Sequence, residues 1–215
     1  MSERQRASKR IVVLDYGSGN LRSAERALER AGADVVVTDD LTAAAEAAGL
    51  VVPGVGAFAA CMAGIEALGA GPVIAERVAA GRPVLGICVG MQVLFDHGDE
   101  HGVVTKGLGL LPGGVTMLPA ERLPHMGWNT VRPPRGSALF AGLPADARFY
   151  FVHSYGVTDP VGLAAAGATV TTAEHGTEFV AAVERGSLSA AQFHPEKSAD
   201  AGAALLRNWL TKVAR

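Results

Sequence analysis

The stretch PVLGICVGMQ, residues 83–92, decides the fold. Residues 83–88 form a continuous apolar run, the pattern of a strand buried on both faces. The run then breaks into Gly86-Ile87-Cys88-Val89-Gly90, and a helix is predicted over 89–98, ending at Gly98. Strand, tight turn and helix around Gly-x-Cys-x-Gly is the geometry of a nucleophile elbow, with cysteine in place of serine. The turn is cramped, which accounts for the small residues on either side. It would lift the Cys88 sulfur to the top of a sheet. It would also set Cys88 at a helix N-terminus, where the dipole favours a thiolate, and leave the N–H of Val89 to donate toward an oxyanion. The same residues also fit a core cysteine in a glycine-rich turn, and this stretch alone does not choose between the two.

Upstream, strands and helices alternate. Strands are predicted at 11–15, 34–38 and 50–54. Helices are predicted at 20–32, 41–49 and 58–68, and at 72–81 with Pro72 near the start. Apolar strands alternating with helices indicate a parallel sheet covered on both faces. Downstream the character changes. Short alternating segments at 113–118, 127–131, 148–157, 167–173, 178–184 and 187–193 read as antiparallel strands extending one edge of the sheet, with a hairpin turn at ERGS, 184–187. A terminal amphipathic helix covers 201–210. The expected fold is therefore α/β: a doubly wound, mostly parallel central sheet with antiparallel strands at one edge. Residues 10–215 are expected to form a single domain behind a basic, disordered leader, residues 1–9.

Composition narrows the function. Hydrophobic residues are 49% of the 215, aromatics 6% and charged residues 19%, with a net charge of −2. That balance offers no surface for nucleic acid or membrane. Two cysteines are too few for a disulfide framework, so a cytoplasmic setting is expected.

A cysteine nucleophile needs a base, and the base needs an orienting group. QFHPEKS, 192–198, supplies both: His194 and Glu196 lie two apart and point the same way off an extended segment, with Pro195 fixing the backbone between them. A third element, VVPGVGAF at 51–58, ends a strand in Pro53-Gly54-Val55-Gly56. This loop can offer backbone N–H groups to an oxyanion, or be an ordinary strand-to-helix turn.

These three elements, in this order, resemble the class I (triad) glutamine amidotransferases over nearly the whole chain. With DYGSGN (15–20), LPHMGWN (123–129) and FYFVHSY (149–155), the sequence is similar within them to the glutaminase subunits of imidazole glycerol phosphate synthase. Val89 stands where leucine is usual. The resemblance implies hydrolysis of glutamine by a Cys88–His194–Glu196 triad through a glutamyl thioester. It places the oxyanion near the Val89 N–H and residues 54–56 (Gly54, Val55, Gly56), and the substrate against Gln92 and the backbone of Ser154 and Tyr155. It implies no cofactor and no metal. It also implies a 1:1 heterodimer with a (β/α)₈ cyclase that receives the ammonia, and a rearrangement of the PGVG backbone as the activating switch. Asn20 and Lys197 would lie on the cyclase-facing side. Met126 and Trp128 read equally as core or as anchors of a buried contact, and the resemblance favours contact.

Three further signals carry other readings. DHGDEH, 96–101, has metal-ligand chemistry but reads as a solvated loop at a helix end. Cys61, in an Ala-rich helical stretch, reads as a small core residue. GSGN, 17–20, could cradle a phosphate but lacks the dinucleotide fingerprint. Three rival functions stay open: a different cysteine hydrolase, a glutaminase feeding another synthase, and a non-catalytic docking subunit.

Overall fold

Residues 10–214 are described by a computed structural model; the basic leader lies outside them. The apolar runs become the expected parallel strands: β1 (Ile11–Leu14), β2 (Val35–Thr38), β3 (Gly49–Gly54) and β4 (Val84–Cys88). Every residue of β1, β3 and β4 is buried, because helices cover both their faces. These helices are α1 (Leu21–Arg30), α2 (Leu41–Glu46), α3 (Phe58–Leu68) and α4 (Ala70–Ala79).

The predicted helix over 89–98 is not there. Helix α5 (Val89–Gln92) lasts one turn, and Phe95–Glu100 is strand β5. Asp, His and Gly are weak helix formers, so the polar run DHGDE resists helix extension. As a strand, it buries Phe95 and seats Gly98 on the Phe58 ring, where a Cβ would come within 2.6 Å of ring carbon. The loop expected at 96–101 is therefore strand, paired antiparallel with β6 (Val103–Lys106) across a two-residue turn. His101 and Gly102 both have positive φ there, 55° and 78°, the conformation that suits a tight hairpin.

The second half contains β7 (Leu111–Met117), β8 (His125–Thr130), β9 (Arg148–His153) and β10 (Tyr155–Gly156), then α6 (Pro160–Ala165), β11 (Thr169–Glu174), β12 (Glu178–Arg185), β13 (Leu188–Ala191) and α7 (Ala199–Val213). Helix α6 was not foreseen, although Asp159 caps it and Pro160 opens it. The strands do not all extend one edge. The main sheet runs β11-β12-β13-β4-β3-β1-β2; β10-β7-β5-β6 form a second sheet, and β8-β9 pair separately. In the main sheet β11 and β12 supply the antiparallel edge. Strand β13 lies inside, parallel to β4. The ERGS hairpin is as expected: Arg185 pairs with Leu188, and Gly186 takes φ 57°.

All seven phenylalanines are buried. Four of them, Phe149, Phe151, Phe179 and Phe193, join β9 to β12 and to the chain after β13; the Phe149 and Phe193 rings are 4.3 Å apart. No single helix among the described residues is long and apolar enough to cross a membrane.

Arg77 is 2% exposed, an unusual place for a guanidinium. It donates to the carbonyls of Ala44 and Ala47 at 2.9 Å, Ala45 at 3.0 Å and Pro83 at 3.1 Å. It thereby closes the C-terminal end of α2 and anchors the entry to β4. Arg77→Met strands these acceptors. The expected cost is about 2–3 kcal/mol, read as a lower urea midpoint with an unchanged m-value.

Candidate active site

Strand β4 ends at Cys88, whose φ of 57° and ψ of −116° are strained for a residue with a side chain. Strain of this kind persists only where packing enforces it. Here the backbone of Gly90 is pressed against β3, and a Cβ at Gly90 would lie 1.9 Å from the Val52 carbonyl oxygen. Gly86 gives the same clearance from below, its Cβ position being 2.6 Å from the Gly90 oxygen. The two glycines of the motif are thus contact surfaces as well as flexible joints. Cys88 is 4% exposed and opens on a cavity of about 250 Å³.

His194 and Glu196 arrive from the neighbouring strand. Ala191 of β13 is paired with Ile87 of β4, so the chain leaving β13 passes beside Cys88. The His194 N–H donates to Tyr150 O at 2.9 Å, and the Ser198 hydroxyl donates to His194 O at 2.6 Å while accepting from the Tyr150 N–H at 2.9 Å. Ser198 thus ties the single turn Pro195–Lys197 to β9. His194 Nδ1 sits 2.7 Å from Glu196 Oε1, with both side chains under 5% exposed (3% and 4%). Burial lowers the pKa of His194, but hydrogen bonds to Cys88 and Glu196, with their charges, outweigh it and raise the value to about 9. The site is arranged to hold an imidazolium beside the sulfur.

The cavity is lined by Cys88, Val89, Gln92, Val55, Gly56, Ser154, Tyr155 and His194, all singled out from the sequence, and by Lys197 at its exposed mouth. Gly54 lies behind it: a Cβ there would meet Gly90 N at 2.4 Å. Val89 and Gly90 open α5, where N–H groups have no intrahelical acceptor. Within the 54–56 loop expected near the oxyanion, the Val55 N–H donates to the Ser18 hydroxyl at 3.2 Å. The Ser18 hydroxyl lies 3.0 Å and the Cys61 thiol 3.4 Å from the Val55 carbonyl, and the two lie 3.2 Å from each other; with one proton each, they fill two of these three contacts at a time. Cys61 is buried, as expected, but its thiol also holds this loop. GSGN serves the same loop through Ser18.

Gln92 donates to Tyr155 O at 2.9 Å and to Gln192 Oε1 at 3.0 Å, which leaves its own carbonyl oxygen for a ligand. Asn20 is exposed and caps α1 by accepting from Ser23 N. Met126 and Trp128 are 64% and 50% exposed, so the core reading of both is excluded.

Sequence reading missed His153, which lines the cavity, and three residues that act around it. Gln192 points its Nε2 at Cys88 Sγ, 3.8 Å away; within QFHPEKS it gives no separate signal. Glu100 lines the cavity from β5 and accepts from Phe58 N at 2.9 Å; reading 96–101 as a loop hid it. Ser198 was hidden because a clamp between backbone segments has no local signature.

The raised pKa of His194 has a consequence for stability. Its contribution is complete below the unfolded value of 6.5 and is lost as pH rises through about 9. Cys88→Ala removes the main raising partner, so NMR titration should find the His194 pKa lower in that variant. The alkaline fall of the melting temperature should become shallower with it.

Residues 12–213 match the glutamine amidotransferase class-I family. The chain is 62% identical to the imidazole glycerol phosphate synthase subunit HisH of Mycolicibacterium paratuberculosis, over 96% of this chain and 99% of the relative. It is 60% identical to the protein of the same name from Streptomyces avermitilis, over 94% and 96%. Among solved structures, a glutamine amidotransferase is similar in fold with a TM-score of 0.74 at 20% identity, covering 95% of this chain and 99% of that one. A second, the glutaminase domain of Trypanosoma brucei CTPS, gives 0.70 at 18% identity, over 96% and 94%. With its elbow cysteine, paired histidine and glutamate, and these relatives, the chain belongs to the class-I glutamine amidotransferases and, within them, to the HisH family.

Proposed function

We propose that this chain is the glutaminase subunit of an imidazole glycerol phosphate synthase, with Cys88 as nucleophile, His194 as acid and base, and Glu196 as the group that orients His194. The observation that carries the reading is the juxtaposition at one cavity of a strained elbow cysteine and a histidine paired at 2.7 Å with Glu196. Glutamine enters the cavity with its side-chain amide over Cys88. Glu100 offers a carboxylate to the substrate ammonium. The sulfur attacks the amide carbon, and the Val89 N–H receives the negative charge that forms on oxygen. His194 protonates the leaving nitrogen, so ammonia departs and a glutamyl thioester remains. Neutral His194 then takes a proton from water as it attacks the thioester, which releases glutamate and restores the Cys88 thiolate beside the His194 imidazolium. No cofactor or metal enters these steps.

Residues 10–215 act as one amidotransferase domain in the cytoplasm, in a 1:1 complex with a (β/α)₈ cyclase that consumes the ammonia for histidine biosynthesis. The exposed Met126 and Trp128 support this partner surface. Trp128 sits edge-on to Tyr150, with ring centroids 6.1 Å apart, and Lys197 Nζ lies 5.9 Å from the Tyr150 centroid. That patch is continuous with the mouth of the cavity, where ammonia would leave. The Val55 N–H, tied to Ser18, supports a resting state in which the second oxyanion donor is turned away.

Glutamate release measured for the chain alone, and then with a cyclase partner and its nucleotide ligand, tests the reading. Weak release alone, strong stimulation in the complex, and a loss of about 1000-fold or more in Cys88→Ala are expected. A complex that forms but releases nothing identifies a docking role without catalysis. High release indifferent to the cyclase points to another synthase. For the surface, Trp128→Ala is expected to lower stimulated activity by about tenfold, while the melting temperature moves by less than about 3 °C. The reverse pattern would return Trp128 to a structural role.

A further inference from the structure

Strand β8 presents two faces. Met126, Trp128 and Thr130 point outward; His125 and Asn129 point inward. The inward face carries polar groups whose hydrogen-bond directions are fully determined. Asn129 Oδ1 accepts from Thr130 N at 2.8 Å, and Nδ2 donates to the carbonyl of Glu174 at 2.9 Å. An N–H can only donate and a carbonyl can only accept, so the amide orientation is fixed. Asn129 Nδ2 is also 3.2 Å from His125 Nε2, which must therefore accept. His125 then carries its proton on Nδ1 and donates to His153 Nε2, 3.0 Å away. His153 in turn carries its proton on Nδ1 and donates to the Tyr155 carbonyl at 2.8 Å.

The chain of bonds continues into the site. The Tyr155 carbonyl also accepts from Gln92 Nε2, Gln92 donates to Gln192 Oε1, and Gln192 Nε2 faces Cys88 Sγ. Every step has one possible direction. The middle of the chain is rigidly seated: the His125 ring lies between His175, with centroids 4.2 Å apart, and Phe151, at 4.7 Å. Both imidazoles are kept neutral, His125 down at about 3 and His153 at about 4, chiefly by burial. A neutral ring is what a single-direction chain requires, because an imidazolium has no acceptor nitrogen.

We infer that Asn129, His125 and His153 form a positioning chain: Asn129 at one end and the Tyr155 carbonyl at the other set the tautomer of both histidines, and through that carbonyl they fix Gln92 and Gln192 against the substrate and the Cys88 sulfur. None of the three is given a step in the reaction, although His153 also lines the cavity. The inference rests on Cys88 being the nucleophile, as proposed above. It also places the inner face of the partner-facing strand in direct hydrogen-bonded continuity with the cavity.

The test is imidazole ¹⁵N–¹H correlation on the full chain labelled at its six histidines. His125 and His153 are expected as single Nδ1–H tautomers, and His175, which donates from Nε2 to Arg122 O at 2.7 Å, as the Nε2–H form. An Nε2–H tautomer at either His125 or His153 in the wild type overturns the chain. Two variants then connect it to function: Asn129→Leu removes the donor, and His125→Phe keeps a stacked ring without a hydrogen bond. In either one that folds, the acceptor nitrogen left without its donor, His125 Nε2 in the first and His153 Nε2 in the second, should shift in the ¹⁵N spectrum while His153 stays Nδ1–H on the Tyr155 carbonyl, and kcat/KM for glutamate release in the cyclase complex should fall about tenfold, mostly through a higher KM. That shift with unchanged kcat and KM would overturn the positioning role. A Cys88→Ala chain that still releases glutamate removes the nucleophile assignment, whereas the wild-type tautomers test the hydrogen-bond directions whatever the nucleophile.

Discussion

The approach of Gly90 to the Val52 carbonyl is the contact on which the rest of this site depends. A one-turn helix stacked directly on the end of a sheet leaves no room for a side chain between them. Because the helix sits so low, the residue before it has to turn through a left-handed conformation, and that residue is Cys88. Its sulfur consequently faces the cavity and not the core. Burial and strain are here two aspects of one packing decision: the same backbone contact that hides the turn also orients the nucleophile.

Much of this was legible in the order of residues. The period of apolar residues gave the parallel strands and most helices, since those strands are buried on both faces and have no reason to alternate. Gly-x-Cys-x-Gly gave the elbow because the glycines answer a steric need that composition makes visible. His194 and Glu196 were legible because a separation of two on an extended segment fixes their common direction.

What was not legible has physical causes too. The 89–98 stretch was misread because Val89-Gly90-Met91-Gln92-Val93-Leu94 satisfies a helical pattern, while the pairing that makes Phe95–Glu100 a strand comes from β6 and β7, farther along the chain. Long-range pairing overrides local preference in this way. Glu100 was lost with that error. Gln192 and Ser198 were overlooked for a different reason: each acts on a neighbour brought close only by the fold. The same holds for His125 and His153, which lie 28 positions apart in the chain and 3.0 Å apart in space.

The insertion of β13 between β12 and β4 has a geometric corollary. Cys88 ends one strand, and Gln192 and His194 follow the end of the next, so their relative height is set by the register between the two strands. At the far end of the sheet Gly186 and Ser187 reverse the chain, which fixes β13 against β12, and Leu188 enters opposite Val84, the first pair of the β13–β4 ladder. Side chains alternate sides along a strand, so a slip of one residue would turn His194 to the opposite face. A two-residue turn at the other end of the strand, with no chemistry of its own, therefore acts as the ruler against which the spacing of sulfur and imidazole is measured.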